Sequence, residues 1–191
     1  MAKTALYIIY QKGMKSVVAF IGVIAESKNE MQIKRILDNS LNSKHKEHTI
    51  IAINDKNIDN IKNIRFETIL ITSLDSITSK NLINNLLKNS QYLVISADID
   101  SSSIELNNNI RLNVITFGFN QKATITVSSA EDSLIISIQR KIYNIDGKSI
   151  EPQDIEVKSI SKNMSKNAHN SMGISAIMLI YNKKQIKFWK I

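Results

Sequence analysis

Two hydrophobic periods alternate along this chain, and that alternation limits the folds open to it. Short apolar runs are each followed by a segment whose apolar residues recur every three or four positions. The first run is Val17-Val-Ala-Phe-Ile-Gly22-Val-Ile-Ala25, followed by Met31, Ile33, Ile36, Leu37 and Leu41 at helical spacing. His48 to Ile53 reads as a second strand, and Ile58, Ile61 and Ile64 as a short helix. Thr68 to Thr72 is a third strand. It leads into an amphipathic helix carrying Leu82, Ile83, Leu86 and Leu87, with Ser79 as its expected N-cap. Tyr92 to Ser96 and Val114 to Phe117 supply a fourth and fifth strand. Continuous apolar runs have no polar face to give to water. They suit a parallel sheet covered by helices and wound with right-handed crossovers.

After Gly118 the pattern changes. Ala123 to Val127 alternates, Leu134 to Ile138 follows, and Glu131-Asp132 between them reads as a hairpin turn. Asp146-Gly147 separates Lys141–Tyr143 from Ser149–Ile150 as a second turn. A further strand is expected over Ile155 to Ile160, and a last helix over Asn170 to Tyr181 with Met172, Ser175, Ala176 and Leu179 on one face. The fold class is therefore α/β: a mostly parallel sheet flanked by helices, with an antiparallel meander in the C-terminal half. At 191 residues the chain suits one domain, with the parallel part over about 15–120 and the meander and terminal helix over about 121–191.

Composition removes several classes of function. No cysteine is present, so disulfides, thiolate metal sites and a cysteine nucleophile are excluded. No secretory signal is visible. The longest apolar run falls far short of the roughly 20 residues that span a bilayer, so a cytoplasmic protein without a membrane partner is expected. The net charge of +8 raises a nucleic-acid partner. The lysines are scattered, however, and the tightest group, Lys183, Lys184, Lys187 and Lys190 around Phe188 and Trp189, is read as protection of an edge strand rather than a nucleic-acid surface. His45 and His48, beside Lys44, Lys46 and Glu47, read as a solvated loop. A metal would need further ligands from elsewhere. Neither a Gly-x-Ser-x-Gly elbow nor a Gly-x-Gly-x-x-Gly loop occurs.

Three segments carry a resemblance. Tyr92-Leu-Val-Ile-Ser-Ala-Asp98 is similar to a strand ending in Asn-Ala-Asp-Asp. Asn113-Val-Ile-Thr-Phe-Gly118 is similar to a strand reading Val-x-Thr-Tyr-Gly. Ala168-His169-Asn170-Ser-Met-Gly-Ile-Ser-Ala176 is similar to Gly-x-His-Asn-x-x-Asn-x-x-Ala-Ala at a helix start. In this order they resemble the central, P-loop NTPase-like domain of Mur ligases, which add amino acids to the peptidoglycan precursor using ATP. The match runs over roughly residues 15–181 and implies that the family's flanking substrate and amino-acid domains are absent.

The resemblance puts a phosphate loop after the first strand. Such a loop needs glycines for close backbone approach, a lysine on the β/γ-phosphates and a hydroxyl on Mg²⁺. The segment here is Gly22-Val-Ile-Ala-Glu26-Ser27-Lys28-Asn29. Aligned on Gly22, the lysine position holds Glu26. Aligned on Lys28, the second glycine becomes Ser27 and the hydroxyl becomes Asn29. Neither register restores the motif, so no cofactor is expected and Mg-ATP is disfavoured. Gly22, Ser27 and Lys28 remain as a vestigial nucleotide site. The resemblance implies that His169 and Asn170 border the base. The plainer reading is a helix start, with Asn167 or Asn170 as the cap and His169 exposed beside it. Asp98 and Asp100 lie where open α/β sheets bind ligands, and are read as turn formers rather than Mg²⁺ ligands. The expected function is a non-catalytic Mur-ligase-like binding or regulatory domain linked to cell-wall precursor metabolism, with a protein partner or a second copy. The alternatives are an ATP-dependent ligase subunit completed by other chains and a basic nucleic-acid binder.

Overall fold

A computed structural model describes residues 10–11, 14–15, 18–41, 48–100, 104, 112–129, 134–157 and 168–182. The isoleucine- and valine-rich runs form strands because branched side chains pack well on a pleated surface. In chain order the elements are β1 (Tyr10–Gln11), β2 (Met14–Lys15), β3 (Ala19–Ile24), α1 (Ser27–Leu41), β4 (His48–Ala52), α2 (Ile58–Ile61), β5 (Thr68–Ile71) and α3 (Lys80–Leu87). They continue with β6 (Tyr92–Ser96), β7 (Asn113–Phe117), β8 (Ile125–Ser129), β9 (Leu134–Ile138), β10 (Ile142–Tyr143), β11 (Ser149–Ile150), β12 (Gln153–Val157) and α4 (Ala168–Ile180).

Eight strands make one sheet in the order β12-β9-β8-β7-β6-β5-β3-β4. From β4 to β8 every neighbour is parallel, while β8, β9 and β12 are antiparallel. This is the mostly parallel α/β sheet with an antiparallel meander that the sequence pattern predicts. Side chains alternate across a strand, so the parallel strands supply two cores. On one face Ile21, Val23, Leu70, Val94 and Phe117 pack with Ile33 and Leu37 of α1 and Met172 and Ile177 of α4. On the other, Ile24, Ile69, Ile71 and Leu93 pack with Ile58 of α2 and Ile83, Leu86 and Leu87 of α3.

Several local expectations are corrected. Ser79 stands at the N-cap of α3 but its side chain makes no capping bond. The strand expected from Ala123 begins at Ile125, because Ala123 and Thr124 still belong to the turn that brings the chain alongside β7. The strand expected over Ile155–Ile160 runs over Gln153–Val157, pairing Ile155 with Ile136 and Val157 with Leu134 so that its apolar residues meet those of β9. His48 lies in β4 rather than a solvated loop. It is buried, with its ring edge-on to Tyr181 at 4.8 Å between centroids. His45, Glu131-Asp132, residues 158–160 and the lysine-rich segment 183–191 lie outside the described residues.

The terminal helix also departs from its expected pattern. Instead of one apolar face, α4 buries Ala168, Ser171 to Met178 and Ile180, which is burial on every side. A helix covered all round must approach its neighbours closely, and Gly173 provides the approach. A Cβ there would lie 2.9 Å from Phe117 Cζ and 3.0 Å from Leu70 Cδ1. Two residues further on, the Ser175 hydroxyl is fully buried and finds no hydrogen-bond partner.

Two substitutions test this packing by denaturant titration. Gly173→Val forces branched carbons into Phe117 and Leu70, and the expected loss is about 2 kcal/mol. Ser175→Ala removes an unsatisfied buried hydroxyl, and the expected gain is about 1 kcal/mol.

Candidate functional site

The C-terminal ends of β5, β6 and β7 meet the N-terminus of α4. Open α/β sheets bind ligands at such a corner. Ser96 is the last residue of β6, and its Oγ lies 2.7 Å from Nε2 of His169 in the first turn of α4. The Asp98 N–H donates to the same Ser96 Oγ at 3.2 Å. Asp98 Oδ2 accepts from the Phe119 N–H at 3.3 Å and stands 3.5 Å from His169 Nε2. This approach of the carboxylate depends on Gly118. Its φ of +150° is a value side chains disfavour, and an added Cβ would sit 2.5 Å from Asp98 Oδ2. The imidazole is flanked by Phe117 at 5.1 Å and Phe119 at 6.2 Å between centroids.

Burial holds the His169 pKa below the usual imidazole value. The Asp98 carboxylate and a hydrogen bond to Asn170 oppose that shift without reversing it. The ring is thus neutral at neutral pH, and its contact with Asp98 is not an ion pair there. Serine, histidine and aspartate converge, but not as a nucleophilic triad. In a triad the carboxylate orients the other ring nitrogen. Here Ser96 and Asp98 share Nε2, and Ser96 is only 3% exposed. The arrangement works as a clasp joining α4 to the end of β6.

Beside the clasp lies a cleft of about 410 Å³ whose wall includes Thr72, Asp75, Ser96, Asp98, Asp100 and His169. Among its described lining residues there are three carboxylates and neither a lysine nor an arginine. Thr72 and Ser96 went unremarked in the sequence. Their signal was a hydroxyl residue closing an apolar strand at its C-terminal end.

The first strand-to-helix corner is built differently. Gly22 lies inside β3, not in a loop. It admits Ile53 and Phe66, whose side-chain carbons would come within 2.6 and 3.2 Å of an added Cβ. Only Ala25 and Glu26 separate β3 from α1. The Glu26 C=O accepts the N–H groups of Asn29 and Glu30. Its carboxylate accepts from the Asn29 side chain at 3.1 Å and pairs with Lys28 at 3.0 Å. Ser27 opens α1, and Lys28 is exposed beside its partner. Of the five residues expected to mark a nucleotide site, His169 lines the described wall of the cleft, whereas Gly22, Ser27, Lys28 and Asn170 do not. Asn170 is no cap, because the helix begins two residues earlier at Ala168. His169 is turned onto Ser96 instead of standing exposed.

No family model and no curated protein matches this sequence. Among solved structures 13 chains match. One is MurF from Acinetobacter baumannii, with a TM-score of 0.51 and 9% identity over 86% of this chain and 43% of that one. This chain therefore spans less than half of that chain's length. The likeness shows an α/β fold of the Mur ligase kind. Among the described residues no helix is long and apolar enough to cross a membrane.

The depressed His169 pKa fixes the sign of a pH effect. The native state binds the His169 proton less readily than the unfolded chain does. Stability from this group is therefore present above about pH 6.5 and is lost as the pH falls below it. Thermal melts between neutral and mildly acidic pH should show a steeper acid-side loss in the parent than in His169→Gln. Parallel curves would contradict the neutral clasp.

Proposed function

We propose that this chain is a Mur-ligase-like middle domain that acts by binding, without ATP-driven ligation. One observation carries this reading: a carboxylate stands where the fold's phosphate loop would be. Glu26 is the second of the two residues that connect β3 to α1, directly before the helix, and is already bonded to Lys28 and Asn29. A polyphosphate placed there would meet like charge, costing about 4 kcal/mol at 4 Å in an effective dielectric near 20. Gly22, which would have opened the loop, is committed to packing against Ile53 and Phe66.

The cleft at Ser96, Asp98 and His169 is the binding site in this reading. Its described lining, with three carboxylates and neither lysine nor arginine, favours neutral or cationic groups over phosphate. Gly22, Ser27, Lys28, His169 and Asn170 are relics of a nucleotide site rather than a working one. The likeness of fold to MurF supports a role in cell-wall precursor metabolism.

A thermal-shift series with Mg-ATP tests the reading. No rise in Tm is expected up to millimolar nucleotide. Ligand at 100 times its Kd would add about 2.7 kcal/mol of stability. A rise of that size, removed by substituting Lys28, would overturn the proposal in favour of a ligase subunit completed by other chains.

A further inference from the structure

Among the described residues, the eight-stranded sheet has a gap in it, beside the first half of β7. Asn113 donates its N–H to the Gln91 C=O, and the Phe117 C=O accepts from the Ala97 N–H. The odd-numbered residues of β7 thus turn their backbone groups toward β6, in the register Tyr92 to Asn113 and Ser96 to Phe117. The residues between them turn the other way. Gly118 continues this pattern on the far side, donating its N–H to the Ile125 C=O. Yet β8 begins only at Ile125, and Phe117 with Ile125 is the one register pair that β7 and β8 share. Before that pair, among the described residues, no strand is hydrogen-bonded to this side of β7, and no backbone group is bonded to the N–H or C=O of Val114.

Side chains close the upper end of the gap. The Thr116 hydroxyl accepts the Thr124 N–H at 2.9 Å and lies 3.1 Å from the Thr124 hydroxyl. The far wall is the segment Arg140 to Tyr143, where the chain leaves β9. Between them is a cavity of about 390 Å³ lined by Asn113, Val114, Arg140, Lys141 and Tyr143 among others. Val114 is 42% and Tyr143 51% exposed, so two of the four large exposed hydrophobic residues described face this one place. The described lining has two cations and no carboxylate. Lys141 is paired with Glu151 at 3.0 Å. Arg140 is held by the Lys122 C=O at 2.7 Å through Nη1, and a guanidinium has further N–H donors for another acceptor.

We propose that this gap receives an extended acidic segment of a partner protein, which adds a short strand to β7 and sets a carboxylate on Arg140. An unpaired strand edge is a template for another backbone. From Asn113 to Thr116 the edge spans about 13 Å, enough for four residues of added strand. Val114 and Tyr143 give the guest's side chains apolar contact, and Arg140 selects for negative charge. A small anion would use Arg140 but leave the Val114 edge unpaired. A second copy of this chain would bring its own net charge of +8 to a basic gap. The proposal does not rest on the cleft at Ser96 and His169.

The test pans a phage-displayed library of random heptapeptides on the full chain. Enrichment of acidic sequences is expected. The synthetic winner should protect the Val114 and Thr116 amides from hydrogen exchange. Arg140→Glu, with its fold checked by circular dichroism, should weaken binding at least about tenfold. N-methylation of alternate peptide amides should abolish binding, and this control leaves the protein untouched. The proposal is overturned by no enrichment; by winners without acidic bias; by amide changes away from Val114 and Thr116; or by full competition by millimolar sulfate, which marks a small-anion site. A dimer by sedimentation that blocks the winning peptide would assign the gap to a second copy instead.

Discussion

Close contact between α4 and the sheet governs the rest of this molecule. The helix is buried on every side and can lie flush only because Gly173 leaves room for Phe117 and Leu70. Both ends of α4 then become fixed points. Its first turn sets His169 against Ser96 and Asp98. Just past its last turn, the Tyr181 hydroxyl donates to Glu67 at 2.8 Å, contacts Thr68 at 3.0 Å and meets the edge of the His48 ring. Burial and the neighbouring Glu67 carboxylate push the Tyr181 pKa far up, so the phenol stays a neutral donor. A helix contributed by the end of the sequence thereby ties together both ends of strands made near its beginning.

Electrostatics divides the two corners that a nucleotide would need. A basic chain has here placed three carboxylates around the cleft at Ser96 and His169 and a fourth, Glu26, at the start of α1. Oriented amides at a helix N-terminus attract anions, and Glu26 supplies one from within the chain. Its own backbone carbonyl also satisfies the amides of Asn29 and Glu30. The corner is thus complete without a ligand, in keeping with a domain proposed to bind rather than to ligate.

β7 and β8 are joined by a single register pair, Phe117 with Ile125. Only residues 118–124 connect these two parallel strands, too few for a crossover back to the start of β7, so β8 begins level with the end of β7. The hairpin of β10 and β11 comes alongside below that point. It is held through Asn144, whose side chain accepts the Asp146 and Lys148 N–H groups and whose C=O accepts the Tyr92 hydroxyl. The gap beside Val114 follows from that late start of β8.

The sequence by itself determined the order and kind of the main elements. Apolar runs bounded by polar residues and helical spacings after them are local signals, and Asp146-Gly147 marks its turn locally, with Gly147 at a φ of 74°. The failed phosphate motif was equally legible, because it is a matter of residue identity at fixed spacing. Only the tertiary structure decided that Gly22 serves packing rather than a loop, that His48 is interior, and that Ser96, Asp98 and His169 meet. Ser96 and His169 are 73 positions apart and Tyr181 and Glu67 are 114 apart, and nothing periodic in a sequence records such a pairing. Periodicity reports which face of an element is apolar. Which elements those faces meet is set by crossover topology and close packing, which belong to the whole chain at once.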